Sequence, residues 1–133
     1  MATFSSLLIQ VNYFMGTENM TKFDMVRVLF DTGHGKDKTA IINSLNDYIH
    51  VDYMLVRETE LVVADDMKKY MVQTIEEGWV VQELRFLFEN EESLAFNVLW
   101  TEPQSEKNYV TTNLQLWKDG KCWREIISGK YTS

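Results

Sequence analysis

Leu45-Asn46-Asp47-Tyr48-Ile49-His50-Val51-Asp52-Tyr53 is the stretch on which the fold turns. Just upstream, Ile41, Ile42, Leu45 and Ile49 recur at the spacing of one helical face, and Asp37 stands where an N-cap belongs. From His50 to Glu58 the residues become β-branched and aromatic, so the helical pattern hands over to a short strand. Side chains at i and i+2 of a strand share a face. His50 and Asp52 are therefore expected to point the same way, at the seam between a helix and a sheet.

Upstream, Thr21-x-x-Asp24 reads as a capping box with Asp in place of Glu. It opens a helix with Phe23, Val26 and Phe30 at helical spacing, widened by Met25 and Leu29 and ended by Gly33 and Gly35. Downstream, Asp65 or Asp66 is the expected cap of a third helix, with Met67, Tyr70, Met71 and Ile75 inward and Gly78 as the stop. Trp79 reads as a lid over that helix end. Beyond it the period changes to two.

Leu84, Phe86 and Phe88 alternate with Arg85, and Glu89 to Glu92 reads as a solvated turn. Leu94, Phe96, Val98 and Trp100 define one face of the next strand. Pro103 marks a loop, Tyr109 to Lys118 a further strand, and Asp119-Gly120 a two-residue hairpin before Lys121 to Ser128. Three helices followed by an antiparallel meander is an α+β pattern. It predicts one domain over 21–133, preceded by a docking arm over 1–20.

The 133 residues suit a single core, and 45% hydrophobic content argues for a globular chain. A formal charge of −7 argues against nucleic acid, whose phosphates demand a basic surface, and disfavours anionic membranes. Cys122 is the one cysteine, and His34 and His50 form no zinc-binding spacing, so no disulfide framework, metal site or cofactor is implied. A reducing, cytoplasmic compartment is the default expectation.

The order helix, Gly-containing break, helix, strand with Asp, third helix and meander with Asp-Gly-Lys before its last strand resembles the nuclear-transport-factor-2-like superfamily, which includes ketosteroid isomerases, SnoaL-like polyketide cyclases and scytalone dehydratase. The resemblance covers Thr21 to Ile127. It implies a cystatin-like, cone-shaped, highly curved antiparallel sheet wrapped around three N-terminal helices, a pocket for a small apolar or carbonyl-containing ligand, and a homodimer.

In Asn46-Asp47-Tyr48-Ile49-His50-Val51-Asp52 the resemblance places Asp52 at the family's base position, abstracting a proton beside a carbonyl, with His50 as its partner. The activity implied is isomerisation, cyclisation or dehydration. A non-catalytic ligand-binding or dimerisation module is the alternative. Asn113 falls near the family's oxyanion donor, and Phe96, Val98, Trp100, Trp123, Glu125 and Ile127 are expected to face the cavity. The helix-one tyrosine of ketosteroid isomerases maps near Val28, which cannot donate a hydrogen bond; this argues against a steroid isomerase. Val110, Leu114 and Leu116 would lie on the opposite, outer face, where a second copy could cover them.

Overall fold

A computed structural model describes residues 20–132; the expected arm over 1–20 lies, but for Met20, outside them. The chain runs α1 (Lys22–His34), α2 (Lys38–Tyr48), β1 (Ile49–Arg57), β2 (Glu60–Val63), α3 (Ala64–Glu76), β3 (Val80–Glu89), β4 (Ser93–Thr101), β5 (Asn108–Lys118) and β6 (Lys121–Tyr131). The six strands form one sheet in the order β2-β1-β6-β5-β4-β3. Every neighbouring pair is antiparallel except β1 and β6, which run parallel.

Local chemistry fixes the helices. Thr21 and Asp24 form the expected capping box, each accepting from the other's backbone N–H. Glu89, expected in a solvated turn, instead ends β3 and accepts from the backbone N–H groups of Lys22 and Phe23 at 3.1 and 3.3 Å. A carboxylate there satisfies orphan donors and meets the positive end of the helix dipole. Asp37 caps α2 through the N–H groups of Thr39 and Ala40.

Neither Asp65 nor Asp66 caps α3. The strand β2 runs straight into the helix, Val63 takes the cap position without a side-chain bond, and the two acids lie in the first turn. Gly33 lies within α1 rather than after it, because α3 approaches closely there: a Cβ on Gly33 would meet Ile75 Cδ1 at 2.9 Å.

The sheet face turned toward the helices carries the core. Phe96, Val98, Leu94 and Tyr53 from the strands meet Phe23, Val26, Ile41 and Leu45 from α1 and α2, all nearly inaccessible to solvent. Two irregularities decide which strand residues point there. In β1 the register jumps between Ile49, opposite Cys122, and Met54, opposite Arg124. In β6, Cys122 pairs with Trp117 and Arg124 with Leu116, which leaves Trp123 as an unpaired bulge residue.

Candidate functional site

Read across the sheet, the inward residues form rows. Gln115, Glu125 and Leu55 make the lowest; Phe96, Asn113, Ile127 and Arg57 the next; then Val98 and Thr111; then Trp100, Tyr109 and Tyr131. From Asn113 to Tyr109 the rows climb four residues, about 13 Å. Between these rows and the helices lies a cavity of about 320 Å³, walled also by Leu29, Phe30, Tyr48, Met67, Met71 and Trp79. That is the lower end of the range for small-molecule pockets.

A buried carboxylate marks its base. Glu125 is 5% exposed. Its Oε1 accepts from the Tyr53 hydroxyl at 2.6 Å, and its Oε2 accepts from Asn113 Nδ2 at 3.1 Å and Gln115 Nε2 at 2.6 Å. These donors are positioned in turn. Asn113 Oδ1 accepts from Thr111, Gln115 Oε1 accepts from the Trp117 indole, and Gln115 Nε2 also donates to the Tyr48 hydroxyl.

All three partners of the carboxylate are neutral. Burial pushes the Glu125 carboxyl above the usual carboxylate range, and the three donated hydrogen bonds offset part of that rise. Burial, reinforced by the neighbouring Glu125, raises the Tyr53 hydroxyl and the Cys122 thiol, so both keep their protons.

The top of the cavity is aromatic. Phe30 meets Trp100 edge-on at 5.6 Å between centroids, Trp100 meets Trp79 at 6.3 Å, Trp79 meets Tyr109 at 6.1 Å, and Tyr109 meets Tyr131 at 4.9 Å. The Tyr109 ring lies across Gly129: a Cβ there would overlap the Tyr109 ring and its hydroxyl.

Of the expected cavity residues, Phe96, Val98, Trp100, Asn113, Glu125 and Ile127 line the cavity, whereas Asp52, His50 and Trp123 do not. Asp52 is exposed, and its backbone carbonyl accepts from Arg124 Nη1 at 2.6 Å. His50 is buried, but its Nδ1 accepts from the Asp52 backbone N–H at 3.0 Å while Nε2 faces Asp119 Oδ2 at 3.2 Å.

That side-chain-to-backbone bond belongs to the irregular part of β1, so the i, i+2 alternation assumed for His50 and Asp52 does not apply. Tyr53, Leu55 and Arg57 take the inward positions instead. The bulge at Trp123 likewise turns that ring away; it stacks under Arg124 at 3.9 Å and near Lys118 at 5.0 Å. Arg57 and Tyr53 were missed because a strand bulge leaves no mark in hydrophobic periodicity; Tyr48, the last residue of α2, lies outside the aliphatic stripe expected of that helix. Trp79, read as a lid over a helix end, lines the cavity wall.

Three helices against a six-stranded, curved and mostly antiparallel sheet define the nuclear-transport-factor-2-like, cystatin-like fold. No protein-family model and no curated protein matches the chain by sequence. Solved structures do match by shape. A candidate ketosteroid isomerase from Kribbella flavida superposes with a TM-score of 0.65 at 16% identity, over 84% of this chain and 79% of that one. A candidate SnoaL-like polyketide cyclase from Jannaschia gives 0.62 at 13% identity, over 82% and 85%. An NTF2-like protein of unknown function from Cytophaga hutchinsonii gives 0.57 at 11% identity, over 86% and 92%. Among the described residues no helix is long and apolar enough to cross a membrane.

Proposed function

We propose that the cavity binds a small, largely apolar, carbonyl-containing compound and moves a proton beside the carbonyl, with Glu125 rather than Asp52 as the base. The observation carrying this reading is the placement of Glu125: a carboxylate at the base of an apolar cavity, held only by neutral donors, with its charged form disfavoured by burial. A desolvated carboxylate is costly, so its presence calls for a use. Asn113 stands in the adjoining row, where the second N–H of its amide can orient a carbonyl.

The test is exchange of the α-hydrogens of simple ketones and oxo compounds in heavy water, followed by proton NMR. The wild-type chain should catalyse exchange, Glu125→Gln should lose it by about a hundredfold or more, and Asp52→Asn should keep it. Exchange that survives Glu125→Gln would overturn the assignment.

One observation favours a second reading. Three of the carboxylate's acceptor positions are already filled, as a purely structural hub would require. On that reading the cavity binds its ligand without turnover; compounds that bind but show no exchange above buffer would establish it.

We also propose that the chain pairs with a second copy through the outer sheet face, where Val56, Leu61, Phe88, Leu114, Leu116 and Ile126 are exposed together.

A further inference from the structure

We propose that the ligand of this cavity is an organic anion, a small monocarboxylate whose head is held by Arg57 and whose apolar body lies along Phe96, Val98 and Trp100. This rests on reading the cavity as a ligand site and adds the charge of what enters it.

Arg57 is the last residue of β1, half-buried, and belongs to the same inward row as Ile127, Asn113 and Phe96. Its guanidinium carbon lies 5.5 Å from the centre of the Tyr70 ring, a contact that orients the group without neutralising it. Among the described residues no carboxylate approaches it within ion-pair distance. The chain does not lack acids, having 20 against 13 lysines and arginines.

The two acids that share the cavity wall are engaged elsewhere. Glu77 accepts from Gln73 Nε2 at 2.8 Å, and the Glu125 oxygens are taken by Tyr53, Asn113 and Gln115. A guanidinium in an apolar, aromatic wall is thus left with its planar fork of donors unmatched. A carboxylate matches that fork with two parallel hydrogen bonds, and gains more there than in water because the surroundings are of low polarity. A neutral compound of the same shape leaves the cation unpaired. A cationic one is repelled.

The experiment compares octanoate with octanamide, which has the same chain and nearly the same shape but no charge, by titration calorimetry on the full chain. Fluorescence of Trp79 and Trp100 reports whether the ligand enters the cavity. Octanoate should bind about tenfold or more tightly than octanamide. Arg57→Gln should abolish that difference. Equal affinity of wild type for acid and amide overturns the anion assignment and leaves the pocket standing; an acid preference that persists in Arg57→Gln overturns Arg57 as the group that holds the head. The wild-type comparison stands even if the variant folds poorly. Failure of both compounds to bind overturns the pocket reading itself, and this one with it.

Discussion

Glu125 is where the chemistry of single side chains matters most. Replacement by Gln keeps the shape and permits a complete exchange of roles: the amide oxygen can accept from Asn113 and Gln115 while its NH₂ donates to Tyr53. Replacement by Leu strands all three donors in an apolar interior. Glu125→Leu should therefore lower stability by about 3 kcal/mol or more, at roughly 1–3 kcal/mol per unsatisfied group, whereas Glu125→Gln should be neutral or stabilising in urea unfolding at pH 7.

The pH dependence follows from the sign of the shift. Because the folded carboxyl titrates above its unfolded value, the folded state holds the extra proton between the two. Stability should fall as pH rises through that window, and Glu125→Gln should remove the slope. Glu125 itself was legible in the sequence as a cavity residue, since its inward position needs only the register of the last strand. Its rank above Asp52 was not legible. That depended on the irregularity in β1 that sends Asp52 to the surface.

Among the elements, β5 and β6 shape the cavity's upper half. Row by row, Tyr109 pairs with Tyr131 and Thr111 with Gly129, and the missing side chain at Gly129 is the space that the Tyr109 ring occupies. Gly129 has no need of an unusual backbone angle; its value is room. Gly129→Ala should displace Tyr109 from its contacts with Trp79 and Tyr131, costing about 1–3 kcal/mol as an overpacked site and weakening ligand binding. Thermal melting and a binding titration check both; an unchanged affinity would mean that the Tyr109 ring does not bound the site.

The first two helices and the β4 face could be read from caps and alternation, because each depends on neighbours in sequence. The strand β2, the parallel pairing of β1 with β6 and the Glu89 cap on α1 could not. Each joins segments that no local pattern links.

For the molecule as a whole, the sheet has two apolar faces and the helices cover one. Leu114, Leu116 and Ile126 are each about half exposed on the other, beside Val56 and Leu61. A contiguous apolar surface of this kind marks an interaction site on a folded protein. Paired with a second copy, it would hide identical patches about a two-fold axis. Light scattering at concentrations on the order of tens of micromolar should give twice the 15.7 kDa chain mass, and Leu116→Glu should return it to the single-chain value. A wild-type monomer would refute the pairing.

The hydrogen bond from Tyr53 to Glu125 spans 72 residues, and the strand carrying Glu125 closes the sheet against the strand carrying Tyr53. The α1–α2 and β3–β4–β5 contacts are far more local and can form early. Loop closure must be completed before the distant pair is rewarded, so Tyr53 joins Glu125 only when β1 meets β6, whereas Gln115 and Asn113 reach it within the β5–β6 hairpin. The carboxylate that makes the site chemically distinctive thus owes its full enclosure to a contact between distant parts of the chain, and a form in which β1 has parted from β6 should lose that chemistry.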